Sequence, residues 1–108
     1  MNDTMQELYE TVLRRKGSHV EGSYTCYLFE KGIDKILKKC GEECSEVIIA
    51  AKNGNNSETV LEISDLLYHL TVLMVNEGIT LDEVNAELDK RSEKTGNLKK
   101  FHQVDKNS

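Results

Sequence analysis

The sequence predicts an all-α protein, a four-helix bundle completed by dimerisation, and three observations carry that expectation. The chain of 108 residues holds no proline and few aromatic residues, a composition that suits helices and disfavours a β-sandwich. Its apolar residues recur at intervals of three and four, the period of a helix with one buried face. Capping and stop signals bracket each periodic segment. Four helices are readable on this basis, with a short helical segment between the first two. The length argues for one domain, expected over residues 1–96, with a polar, loose tail over 97–108.

Thr4-x-x-Glu7 reads as a capping box opening the first helix, whose apolar face is Met5, Leu8, Tyr9 and Val12. Arg14-Arg15-Lys16-Gly17 closes it, placing positive charge at the negative end of the helix dipole ahead of a glycine stop. Ser23 or Thr25 caps the short segment, which ends near Gly32. Asp34 is expected to cap a long helix reaching Asn53-Gly54, with Ile36, Leu37, Cys40, Cys44, Val47, Ile48 and Ala51 on its buried stripe. The run Asn53-Gly54-Asn55-Asn56-Ser57 is turn chemistry. A helix from about Glu58 to Glu77 follows, stopped by Gly78, and Thr80-x-x-Glu83 is a second capping box opening a last helix to about Lys94.

Composition excludes several classes of function. A formal net charge of -5 argues against general nucleic-acid binding, which needs a basic surface. No apolar run is long enough to span a membrane, and the N-terminus lacks the apolar core of a signal peptide. Three cysteines, an odd number without metal-ligand spacing, suggest a reducing, cytoplasmic environment, with Cys40 and Cys44 read as buried thiols.

The chemistry resides in two acidic clusters, Glu42-Glu43-x-x-Glu46 and Glu62-x-x-Asp65. Carboxylates three and four apart share a helix face and repel one another. A lone run of this kind is ordinarily a solvated surface. Here each cluster borders the apolar stripe of its helix, and a short turn makes the two helices antiparallel neighbours, so the acidic arcs meet in one groove. All-oxygen donors favour Mg²⁺ or Mn²⁺ over Zn²⁺, and a hydrated Mg²⁺ held by carboxylates typically serves phosphates. Lys39 falls on the acidic arc. His69 reads as a partly buried neighbour of the carboxylates rather than a ligand. The helix from Glu58 to Glu77 is apolar on more than one face, with Val72 and Val75 off the stripe centred on Leu70, and a second subunit is the expected cover.

The residues also carry a family resemblance. Ser23-Tyr24-Thr25, then Leu28, Gly32, Lys35-Ile36 and Lys38-Lys39-Cys40-Gly41-Glu42-Glu43 with Glu46, resemble the phosphoribosyl-ATP pyrophosphohydrolases of histidine biosynthesis. Val47-Ile48-Ile49-Ala50-Ala51-Lys52 and Glu62-Ile63-Ser64-Asp65-Leu66-Leu67-Tyr68-His69-Leu70 continue the likeness, which runs from about Leu8 to Arg91. These enzymes belong to the all-α, MazG-like nucleotide pyrophosphohydrolases. The resemblance implies Mg²⁺-dependent hydrolysis of 1-(5-phosphoribosyl)-ATP to 1-(5-phosphoribosyl)-AMP and pyrophosphate. It implies Glu42, Glu43, Glu46, Glu62 and Asp65 as metal ligands, Glu43 as general base and Lys39 as the residue offsetting phosphate charge. Tyr24, Thr25, Arg14 and Arg91 are then expected to contact substrate, and a homodimer is expected. The cysteine pattern of a fused cyclohydrolase is missing, so that activity is not expected. The alternatives are a MazG-like house-cleaning hydrolase of free nucleotides and, in another class, a helical scaffold whose acidic faces are merely solvated. A di-iron bundle fits poorly, because neither cluster contains Glu-x-x-His.

Overall fold

The computed structural model describes residues 3–93, all-helical in its regular elements. Five helices follow in order: α1 (Thr4–Arg15), α2 (Tyr24–Lys31), α3 (Ile33–Lys52), α4 (Asn56–Glu77) and α5 (Leu81–Ser92). The short segment is thus a helix in its own right beside the four expected ones. The expected end near Lys94 and the tail over 97–108 lie outside the described residues. No described helix is long and apolar enough to cross a membrane.

The local reasons for these boundaries are mostly caps. Asp3, rather than Thr4, caps α1 by accepting from the Gln6 amide at 3.0 Å. Ser23 caps α2, accepting from the Cys26 amide at 3.1 Å. Asp34 does not cap α3. It lies within the first turn, and Gly32 occupies the cap position without a side-chain bond. Gly32 has φ 91° and ψ -170°, a conformation essentially reserved for glycine. That single residue ends α2, through its amide to the Leu28 carbonyl, and starts α3, through its carbonyl to the Ile36 amide. Asn55 caps α4 two residues earlier than expected, accepting from the Glu58 amide at 3.0 Å. The Thr80–Glu83 capping box is present in both directions.

The α3/α4 hairpin is the most extensive packing unit, and α1 and α2 lie against it. The core comprises Tyr9, Val12, Leu28, Ile36, Cys40, Val72, Val75 and Leu81. The Tyr9 hydroxyl donates to the Ile79 carbonyl at 2.9 Å, tying α1 to the turn before α5. Lys16 donates to the Val75 carbonyl at 3.3 Å and so places its charge at the C-terminal end of α4, not of its own helix.

Two expectations about buried faces are corrected. Val72 and Val75 are 0% and 2% exposed, covered by this chain's own helices, so they call for no second subunit. The apolar residues left outside on α4 are Val60, Leu61, Ile63 and Leu67. On α3 the buried series is Ile36, Cys40, Glu43 and Ala50, whereas Leu37, Cys44, Ile48 and Ala51 are exposed. The stripe is rotated because Ile36 and Cys40 share one core with Leu28 of α2 and with Val72 and Val75 of α4. Cys40 is therefore a buried thiol and Cys44 is not.

Leu28 is fully buried between α2 and the hairpin. Leu28→Ala is expected to cost about 2–5 kcal/mol, the usual range for a large-to-small core change, read as a lower urea midpoint with an unchanged slope.

Candidate active site

Glu43 on α3 and Glu62 and Asp65 on α4 place one carboxylate oxygen each within 4.8 Å of the others. The turn at Asn53–Asn55 reverses the chain, and the i, i+3 spacing of Glu62 and Asp65 directs both toward the same stretch of α3. Glu43 is 8% exposed, Glu62 is partly buried and Asp65 is open to solvent. A carboxylate as buried as Glu43 needs a compensating charge. Lys39, one turn earlier on α3, supplies part of it at 3.6 Å and reaches Glu42 at 3.3 Å.

The electrostatics record the crowding. Partial burial pushes the Glu62 carboxyl up, and the negative charges of Glu43, Glu46, Asp65 and Glu58 push it further. Partial burial pulls the Lys39 ammonium down, but its hydrogen bond to Glu42, with the fields of Tyr24, Glu42 and Glu43, leaves it above the ordinary lysine value. The three clustered donors are all oxygen. Oxygens sharing one ion at about 2.1 Å can be no more than about 4.2 Å apart, so a 4.8 Å spread is close to the geometry Mg²⁺ requires. The residues present fit a hard divalent cation.

The other expected residues are distributed around this cluster. Glu46 and Glu62 line a cavity of about 270 Å³ near the hairpin turn, together with Ile49, Asn53, Asn55 and Glu58. Glu58 was not singled out from sequence, although it stands four residues before Glu62 and so shares its face. Glu42 is exposed and, among the described residues, pairs with Lys39. Arg14 bonds Thr11 within α1, and Arg91 pairs with Glu87 at 3.0 Å within α5; neither bonds a residue of the acidic cluster within the described protomer.

The Ser23-Tyr24-Thr25 element does reach the site. Tyr24 lies close enough to Lys39 and Glu43 for their charges to act on its phenol, whose pKa is raised chiefly by burial. Its hydroxyl contacts His69 Nε2 at 3.0 Å, while His69 Nδ1 contacts the Asp65 carbonyl at 2.8 Å. Thr25 and Tyr68 share a second hydroxyl contact between α2 and α4. Tyr24 stacks on both Tyr27 and Tyr68, with ring centroids 6.1 Å apart in each pair. Lys31 and Lys35 both lie over the Tyr27 ring, at 5.8 and 5.9 Å. Sequence reading quoted Tyr68 and Lys35 within its motifs without giving either a role, and passed over Tyr27 and Lys31. Position was a further signal, one residue before His69 for Tyr68 and one turn before Lys39 for Lys35.

An αα-hairpin that brings Glu43, Glu62 and Asp65 together defines an all-α protein with an acidic cluster of oxygen donors. Residues 5–92 match the family described as phosphoribosyl-ATP pyrophosphohydrolase, and the chain belongs to that family. It is 54% identical over 97 residues to the phosphoribosyl-ATP pyrophosphatase of Clostridium novyi, covering 90% of this chain and 88% of that one. It is 52% identical over 101 residues to the protein of the same name from Listeria welshimeri, covering 94% and 97%. A histidine biosynthesis bifunctional protein of Caldanaerobacter subterraneus is 56% identical over 92 residues, where the match takes up 85% of this chain and 45% of the longer relative.

Glu62 ionises at higher pH in the folded chain than its ordinary value of 4.5. Below that value it is protonated in both folded and unfolded states and contributes nothing. As pH rises through the folded pKa, its ionisation destabilises the fold. Glu62→Gln is therefore expected to raise the Tm of the metal-free protein, measured in EDTA, by an amount near zero around pH 4 and largest around pH 7.

Proposed function

We propose that this chain hydrolyses 1-(5-phosphoribosyl)-ATP to 1-(5-phosphoribosyl)-AMP and pyrophosphate, with Mg²⁺ held by the acidic cluster and Mn²⁺ as its substitute. The observation that supports this most is the convergence of Glu43, Glu62 and Asp65 on a common point, in a chain of this family. One water is consumed, the anhydride between the α- and β-phosphates breaks, and the bridging oxygen leaves with pyrophosphate. Mg²⁺, when bound, supplies positive charge to the polyphosphate and orients it.

The chain's own residues do the rest. Glu43 is the general base: it is the most enclosed of the three carboxylates, and Lys39, 3.6 Å away, orients it to take a proton from the attacking water. Lys39, turned toward the triphosphate, offsets its charge. Glu42 and Glu46 border the three clustered carboxylates on α3 and complete the metal-binding set. Tyr24 and Thr25 line the approach from α2. Arg14 and Arg91 serve the ribose 5-phosphate, and their bonds to Thr11 and Glu87 rather than to the cluster are compatible with service to a neighbouring subunit's site.

The same reading includes a homodimer, now on a different face. Val60, Ile63 and Leu67 recur at three and four residues along the exposed side of α4, and Val60 is 62% exposed. Three free thiols among the described residues suit a cytoplasmic enzyme.

Pyrophosphate release from phosphoribosyl-ATP, with ATP and dUTP as controls, tests the activity. Release that depends on Mg²⁺ and prefers phosphoribosyl-ATP is expected. Equal or faster turnover of the free nucleotides would instead assign the chain a house-cleaning role. Lys39→Ala is expected to lower kcat/KM more than tenfold, over about 1.4 kcal/mol of transition-state stabilisation, even at saturating Mg²⁺. An unchanged kcat/KM would confine Lys39 to balancing its glutamate neighbours. For the dimer, Ile63→Lys is expected to shift the light-scattering mass toward the monomer and to reduce activity with it, whereas a wild-type monomer that is fully active at micromolar concentration would end that part of the reading.

A further inference from the structure

His69 is 4% exposed, and none of the steps above uses it. Its two ring nitrogens nevertheless have distinct partners. Nδ1 lies 2.8 Å from the Asp65 carbonyl oxygen, which has no proton to give, so Nδ1 carries the hydrogen and donates. In the neutral imidazole Nε2 is then a bare acceptor. Its partner at 3.0 Å is the Tyr24 hydroxyl, which must therefore donate its single proton to Nε2. The ring is also wedged edge-on against Tyr68 and Tyr24, with interplanar angles of 85° and 76°, so it is not free to turn.

We infer that His69 is a positioning residue that works through Tyr24 and makes its phenol an acceptor-only group at the rim of the acidic cluster. Tyr24 is 43% exposed and its phenol feels the charges of Lys39 and Glu43, and an oxygen that gives its proton to His69 keeps its lone pairs to accept. With its proton committed to His69, the oxygen offers nothing to a phosphoryl oxygen, which is itself an acceptor. It suits a hydrogen-bond donor: a ribose hydroxyl of the substrate or the attacking water. The chain from the Asp65 carbonyl through His69 to Tyr24 also ties the α2 N-terminus to the turn of α4 that carries Asp65. This inference rests on the proposed activity for its kinetic test, but not for its spectroscopic one.

The spectroscopic test is a two-bond ¹H–¹⁵N correlation of the histidine rings in labelled, metal-free protein near neutral pH. The expected pattern is His69 protonated at Nδ1 only, with the Nε2 resonance shifted by Tyr24→Phe and the Nδ1 resonance unmoved. Protonation at Nε2, or no response to Tyr24→Phe, would overturn the inference whether or not the protein turns over phosphoribosyl-ATP. The kinetic test is a cycle of Tyr24→Phe, His69→Gln, His69→Ala and the double variant Tyr24→Phe/His69→Ala. Tyr24→Phe is expected to cost about five- to tenfold, the usual weight of one hydrogen bond. That loss should fall on KM if the donor is a ribose hydroxyl, and on kcat if it is the attacking water. His69→Ala should add little in the Tyr24→Phe background, and His69→Gln, which retains a donor and an acceptor, should recover part of the loss. Fully additive effects would contradict a role through Tyr24. Should His69→Ala fail to fold, Tyr24→Phe with His69→Gln and the imidazole spectra carry the test.

Discussion

Mutual repulsion among carboxylates is the constraint around which this protein is organised. Glu43 is enclosed, Glu62 and Asp65 face it across the hairpin, and Glu46 and Glu58 add further negative charge nearby. Lys39 is the one side chain that forms an ion pair with this group among the described residues. An arrangement of this kind persists only if other packing holds the two helices together. The crowding is a cost to the fold, recorded in the raised pKa of Glu62.

The hairpin separates the two tasks along its length. Toward the start of α3 and the end of α4, Ile36 and Val72 are fully buried, and Leu28 from α2 joins them. Toward the turn, the same two helices present carboxylates to each other. Apolar contact at one end therefore sets the register that positions charge at the other. The α2 helix is tied across this junction by its hydroxyls, Tyr24 to His69 and Thr25 to Tyr68. Gly32 lets α2 fold back at the very residue where α3 begins. The Tyr24 side chain reaches the rim of the site because of that break.

Much of this was legible in the sequence because helix chemistry is local. The hairpin, its turn and the second capping box follow from spacing and cap residues within a few positions of each other. The acidic clusters were legible for the same reason, since i, i+3 spacing fixes a common face before any tertiary contact forms. What the sequence concealed was rotational. A helix with apolar residues on more than one side has no unique buried face until its neighbours are known. Val72 and Val75 were assigned to a partner subunit and belong to the core, while Cys44 was assigned to the core and is exposed. The start of α3 was missed because Gly32 does with backbone freedom what a capping side chain usually does. The link from Tyr24 to His69 spans 45 positions, beyond any local pattern, although both residues stood within motifs already singled out.

The central claim is that Glu43, Glu62 and Asp65 form one cation site. The most direct measurement is paramagnetic broadening by Mn²⁺ in ¹⁵N-labelled protein, read residue by residue. The account predicts that substoichiometric Mn²⁺ first erases amide signals around Glu43, Glu62 and Asp65, that excess Mg²⁺ restores them, and that Asp65→Asn weakens the effect. Broadening spread evenly over the acidic surface, or centred away from these three carboxylates, would contradict it.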